Sequence, residues 1–293
     1  MLSERARVRR RTAPRHPTAS MPAVAAGVVR AFVERSILVA LSYRTRFALG
    51  FGSLGLSVLT FLYVGKAVAL SGTGFFERYG IGYAPFALIG TVVHGVAATG
   101  LGAFRAAVRR EQVQGTLETL ACAPVPLPLS IVLSGLADIA VAGAGTLVVV
   151  AAIGWRAGLG PATLGPALAA FVLYAASMCG MGMASAGFVL VTKQGDPVSW
   201  IVAAVTGLLG GVYFPVDLLP QWLSRIASCL PTCRALAVVR GAFGAACPDG
   251  APSSPASSVA WLAAVAGLSV ACGALVLRWG ERRAIRQGTL AEF

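Results

Sequence analysis

Apolar residues in this chain do not alternate with polar ones as they would along a half-buried strand. They run nearly unbroken for about twenty positions at a time, the length a helix needs to cross the hydrocarbon core of a bilayer. Six such runs stand between charges or Pro/Gly-rich breaks, at 47–65, 83–104, 129–155, 167–192, 197–216 and 259–277. The third holds a single acid, Asp138, and the fifth is interrupted in its second half by Gly207, Gly210, Gly211 and Pro215. The pattern predicts an all-α membrane protein with six transmembrane helices in one domain over 23–286. A basic, disordered tail at 1–22 precedes it and a short tail at 287–293 follows.

Ahead of the first run, residues 24–44 carry Val28, Phe32, Val39 and Tyr43 on one side of a helical wheel, with Arg30 and Glu34 opposite as an i,i+4 pair. Their charges break any signal-like apolar stretch. The segment therefore predicts an amphipathic helix lying in the membrane interface before the first span, with a plain cytoplasmic extension of the first helix as the other reading.

Composition agrees with the pattern. Of 293 residues 57% are hydrophobic and 12% charged, against about 45–50% and about 25% in soluble domains. Those proportions exclude an ordinary soluble enzyme and a disordered chain. The net charge of +13 does not indicate nucleic acid, because the arginines gather at the N-terminus, in one internal stretch and at the C-terminus. If the N-terminus is cytoplasmic, 18 of the 24 Lys and Arg fall on the cytoplasmic side, which places both termini inside and faces the excess toward the anionic leaflet. The Arg-, Ala- and Gly-rich composition is that of a GC-rich genome, so a bacterial plasma membrane is the expected location.

Two polar stretches carry information. The internal one, Arg105 to Pro128, is helical in its first part, where Arg109, Arg110, Glu111 and Glu118 give it a polar face, and Pro124, Pro126 and Pro128 end it. It reads as a solvated loop or as a docking segment. The other, Gly210 to Gly244, is apolar enough to touch lipid, yet Asp217, Arg225, Arg234 and Arg240 recur too often for a span, and Pro215, Pro220 and Pro231 cut it into short pieces. Broken helices at membrane depth persist only where protein or a wet cavity covers their freed backbone groups. A re-entrant helical hairpin at the outer mouth, between helices five and six, and a long external loop are the two readings.

At these stretches the sequence resembles the permease subunit of type 2 ATP-binding-cassette exporters. The inner one matches the family's charged run followed by G-T-L-E, an apolar residue and a proline, through Arg109, Arg110, Glu111, Gly115, Thr116, Leu117, Glu118, Leu120 and Pro124. The outer one matches its Gly-rich helix end followed by F-P, an acid and L-P-x-W-L, through Gly210, Gly211, Phe214, Pro215, Asp217, Leu219, Pro220, Trp222 and Leu223, with Pro231 and Arg240 beyond. Gln112 and Val113 depart from the charged residues common in the inner motif.

The resemblance implies an ATP-driven exporter that moves an amphipathic or lipidic cargo (drug, natural product or lipid-linked glycan) out of the cytoplasm. It implies two permease chains, identical or not, with two separate ATPase chains, the inner stretch riding in a cleft of the ATPase through Arg109, Arg110, Glu111, Gly115, Leu117, Glu118 and Leu120. The first and fifth spans would line the path, with Phe51, Phe61, Tyr63, Tyr213 and Phe214 as aromatic candidates.

No segment reads G-x-x-x-x-G-K-[ST], the loop that wraps nucleotide phosphates: Thr60 and Ala67 occupy the wrong positions around Lys66, and Lys193 follows Thr192. No cofactor is expected on this chain, ATP and Mg falling to the partner subunit, and no metal cluster is legible. An ion-coupled secondary transporter using Asp138 is the rival function. A membrane-embedded enzyme is the more distant one, since His94 stands without a partner base or clustered ligands. Counting about 1.5 Å per residue from the helix ends places Asp138 about 13 Å and His94 about 15 Å deep. Two readings follow: they face each other or share a polar contact, or Asp138 bonds Ser134 one turn earlier and His94 is satisfied by its own helix.

Overall fold

The computed structural model describes residues 34, 44–70, 79–116, 126–156, 160–192, 196–245 and 254–287. The basic tail, nearly all of the expected interfacial helix, Leu117, Glu118 and Leu120 lie outside them, as does the side chain of Phe51. Among the described residues the regular elements are helical: α1 (Arg44–Leu70), α2 (Tyr83–Val113), α3 (Leu127–Arg156), α4 (Pro161–Thr192) and α5 (Pro197–Leu209). A single 3-10 turn, Val216–Leu218, then leads to α6 (Gln221–Ser228), α7 (Pro231–Ala242) and α8 (Pro255–Gln287).

Each apolar run has become a helix, and the ends follow local chemistry. Pro161, Pro197, Pro231 and Pro255 open their helices, a position where the missing N–H costs nothing. Asp196 caps α5 by accepting from the Ser199 N–H at 3.0 Å, and Ser254 Oγ accepts from the Ser257 N–H at 3.2 Å at the start of α8. The helix α2 ends in a turn at Gly115, whose φ of +66° a side chain would strain. By length and apolarity α2, most of α4 and α8 suffice to cross a membrane, and shorter apolar helices lie at Gly55–Leu70, Leu127–Ala140 and Val198–Leu209.

The helix α4 is the axis of the bundle. It packs most extensively on α8, and next on α2. Glycines bring the backbones together: a Cβ on Gly273 would stand 2.1 Å from the Gly180 oxygen, and one on Gly280 2.3 Å from the Gly187 oxygen. Residue numbers rise together along both contacts, so α4 and α8 run parallel. Gly100 against Cys179, and the Leu101 oxygen against Gly182, make α2 parallel to α4 as well. Parallel neighbours require a return pass between them, which α3 supplies between α2 and α4.

The fifth run behaves differently from the sequence expectation of 197–216. Its helix stops at Leu209, and Gly211 turns the chain at φ +71°. Thirteen residues span about 20 Å, short of the roughly 30 Å hydrocarbon core. From there α7 runs antiparallel to α2: Thr232, in its first turn, bonds Tyr174 in the middle of α4, and Arg240 meets the Phe86 oxygen in the first turn of α2. Residues 210–245 thus begin beside the middle of the bundle, leave it, come back to that depth at Thr232 and leave again.

Candidate coupling and translocation sites

The bundle has two polar ends, and the first is where α2 finishes. Arg105, Arg109, Arg110 and Glu111 are the last turns of one unbroken 31-residue helix, as the sequence pattern expects for the first part of the inner stretch. Arg109 is exposed and Glu111 is buried, accepting from the Thr116 hydroxyl. Two ion pairs tie this end to its neighbours. Arg110 Nη2 lies 2.7 Å from Asp138 Oδ2 on α3, and Arg105 Nε lies 3.0 Å from Asp196 Oδ2, the cap of α5. Ser199 Oγ in the first turn of α5 in turn meets Ser185 Oγ on α4 at 3.0 Å. The Asp196 side chain is only 5% exposed. Burial pushes its carboxyl up, but the hydrogen bonds from Ser199 and Ser185 and the charge of Arg105 outweigh that and hold it below its ordinary value. Gln112 is buried, and neither end of its amide is hydrogen-bonded among the described residues, which costs about 1–3 kcal/mol unless a water or partner group reaches it.

The opposite end is organised by Arg240, 7% exposed. Its Nη1 donates to the Gly211 oxygen at 2.9 Å, and Nη2 donates to the oxygens of Val212 and Phe86 at 3.0 Å. The guanidinium lies 3.4 Å from the centroid of the Phe86 ring. Nearby, Tyr79 donates to Asp217 at 2.8 Å, fastening the turn before α2 to the 3-10 turn. Pro215 and Pro231 are buried, Phe214 is half-buried, and Pro220 and Trp222 are exposed.

Of the aromatic path candidates, Phe61 and Tyr213 stack with centroids 6.2 Å apart, and Tyr83, which the sequence did not single out, joins Phe61 edge-on at 6.4 Å. Tyr63 projects elsewhere on α1, exposed, with the Lys66 ammonium 5.5 Å from its ring centroid.

The expected contact between His94 and Asp138 is replaced by two separate ones. His94 Nδ1 lies 3.3 Å from the Tyr174 hydroxyl, which also takes a hydrogen bond from Thr232 at 3.0 Å, while Asp138 is held by Arg110. Arg110 and His94 stand sixteen residues apart on α2, about 24 Å of rise. Depth counting failed because α2 continues well past Phe104, so its own arginine reaches the acid first. Tyr174, Thr232 and Asp196 escaped the sequence reading, and Arg105 entered it only as the start of the inner stretch. Only Asp196 had a local signal, an Asp-Pro helix start.

Long apolar helices packed side by side, with a charged helix end pinned to two neighbours, fit a membrane-embedded subunit. A family model for the ABC-2 type transporter matches residues 27–243, and the chain belongs to that family: it is a membrane-embedded permease component of an ABC transporter, a class that works with a nucleotide-binding ATPase subunit. No curated protein matches the chain.

Proposed function

We propose that this chain is one of two permeases which, with two ATPase chains, export an amphipathic or lipidic cargo from the cytoplasm through six spans, with both termini inside. The observation that carries this reading is the continuity of α2. One helix leads from the packed middle of the bundle into the charged segment that carries Arg109, Arg110 and Glu111. Its ion pairs then pass any displacement there to α3 and to the first turn of α5. Exposed apolar faces on α1 (Leu56, Leu59) and α5 (Trp200, Ile201, Leu208) suit lipid on one side and a second permease across a path on the other. That path carries little fixed charge, which favours an amphipathic cargo over a small ion.

In this reading residues 210–240 enter the outer leaflet and return without crossing. The support is the depth of Thr232 beside Tyr174 and the satisfaction of the freed carbonyls of Gly211 and Val212 by Arg240.

Pull-down of the tagged chain from its native membrane tests the assignment. It is expected to recover an ATP-hydrolysing subunit, and the pair Glu118→Gln and Leu120→Ala to lower that recovery with membrane insertion unchanged. Undiminished recovery with both replacements would overturn the docking role of the inner stretch.

A further inference from the structure

One face of the last turns of α8 points away from the bundle and carries a concentration of charge that the proposed transport cycle does not use. No charged residue occurs between Ser254 and Leu277, whereas Arg278, Arg282, Arg283 and Arg286 follow within ten positions. All four are exposed and none lies within ion-pair distance of a described acid, although the charges of Arg278 and Arg282 act on the neighbouring Glu281. Leu268, Leu275, Arg278, Trp279, Arg282 and Arg286 fall within about 100° of one another around the helix, at about 100° per residue. The buried positions, among them Gly273, Leu277 and Gly280, lie on the other side, against α4.

We propose that this face of α8 binds the headgroups of anionic phospholipids, with acyl chains running along Leu275 and Leu268. Leu268 and Leu275 are 66% and 65% exposed, so the apolar half has no cover among the described residues. Trp279, an amphipathic ring of the kind that marks the membrane interface, stands between the leucines and the arginines. It packs against Phe188 of α4 at 6.4 Å and under the Arg283 guanidinium at 5.5 Å. Arg278 and Arg282 lie within about 8 Å of Leu277 along the axis, the depth of a headgroup layer. Arg286 is about 14 Å along and reaches back on its long stem. The half-buried Glu281 is the one acid on these turns, so the local charge is positive. Charge complementarity, together with the unbroken passage from an apolar to a cationic surface, selects a lipid whose headgroup is net negative over a zwitterionic one. Each arginine near such a surface is worth about a fivefold change in binding.

The test uses the full chain in vesicles, with Trp155, Trp200, Trp222 and Trp261 replaced by Phe so that Trp279 alone fluoresces. Brominated phosphatidylglycerol is expected to quench it more than brominated phosphatidylcholine at equal content. The triple variant Arg278→Gln, Arg282→Gln, Arg286→Gln is expected to remove that excess while the phosphatidylcholine quenching stays, showing the helix still in lipid. Should the Trp replacements prevent folding, native mass spectrometry of the otherwise unaltered chain is expected to find phosphatidylglycerol retained at least tenfold over phosphatidylcholine, and the triple variant to lose that preference. Equal quenching by the two lipids, or an excess that survives the triple variant, would each overturn the proposal.

Discussion

Arg240 donates to the main-chain oxygen of Gly211 at 2.9 Å across 29 residues of sequence, and through that contact a broken helix is made tolerable inside an apolar bundle. Where α5 stops, the carbonyls of Gly211 and Val212 lose their helical partners. Without water they need a donor, and the guanidinium fork serves both while a third bond to Phe86 anchors the group to α2. Gly90 leaves the space: a Cβ there would stand 2.2 Å from the Val212 oxygen and 2.7 Å from Arg240 Nη2.

Replacing Arg240 by Ala is therefore expected to destabilise the protein by on the order of 4 kcal/mol, since three charge-assisted bonds are lost and the carbonyls stay buried. Arg240→Lys is expected to recover only part of this, because an ammonium cannot span three acceptors as a planar fork does. Thermal unfolding in detergent measures both. A loss under about 1 kcal/mol for Ala would mean that water already reaches these carbonyls.

The glycines of α8 give a paired comparison. Gly273→Ala would push its Cβ to 2.1 Å from the Gly180 oxygen, whereas Gly267 has nothing within 4 Å. The first substitution is expected to cost about 1–3 kcal/mol or to separate α8 from α4. The second is expected to be neutral or to stabilise by up to about 1 kcal/mol through helix propensity. Cysteine cross-linking between α4 and α8 distinguishes loss of packing from loss of folding.

The apolar runs mark where helices form because length and hydropathy are local properties: five runs are helical where described, and the fifth is helical only over Pro197–Leu209. The end of α5 was only half legible. Gly210 and Gly211 signalled weakness, but the residue that makes the break stable, Arg240, lies on another helix, where sequence alone shows a charge without its acceptors. The same limit applies to the polar contacts. Asp138 and His94 stood out as rare groups in lipid, yet their partners, Arg110 and Tyr174, depend on how far α2 extends and how it is rotated. Tyr174 and Thr232 carry no periodic signature, since a tyrosine or threonine in a span reads as apolar packing until a neighbouring helix is placed beside it.

Asp196 joins two functions that substitution can separate. Asn keeps an oxygen for the Ser199 N–H but has no charge for Arg105, whereas Ala loses both. Asp196→Ala is expected to cost about 1 kcal/mol more than Asp196→Asn, the worth of a helix cap. Because the folded protein holds this carboxyl below its ordinary value of 3.8, the stabilisation is complete above that value and is lost as pH falls from there through the depressed folded value. The native chain is thus expected to lose stability below about pH 4 more steeply than Asp196→Asn, followed by thermal unfolding across that range. Parallel curves would show that the charge of Asp196 contributes nothing.

The pair Arg110–Asp138 separates an ATP-driven permease from an ion-coupled carrier. Its side chains are 41% and 32% exposed, so the pair is worth at most about 1 kcal/mol of stability. A double-mutant cycle of Arg110→Gln and Asp138→Asn, followed by thermal unfolding, is expected to return a coupling energy of that size. If the pair serves to hold the charged end of α2 against α3, the two single variants are expected to lower the ATPase rate of the reconstituted complex alike. The double variant would then lose no more than either alone, because each single change already breaks the same contact. An ion carrier behaves otherwise. There Asp138→Asn would remove the proton-binding group and abolish transport, Arg110→Gln would leave the carboxylate in place and transport running, and a pH gradient without ATP would suffice to drive it. Vesicles carrying a pH gradient but no nucleotide are expected to show no cargo movement, and movement under those conditions would reject the ATP-driven reading.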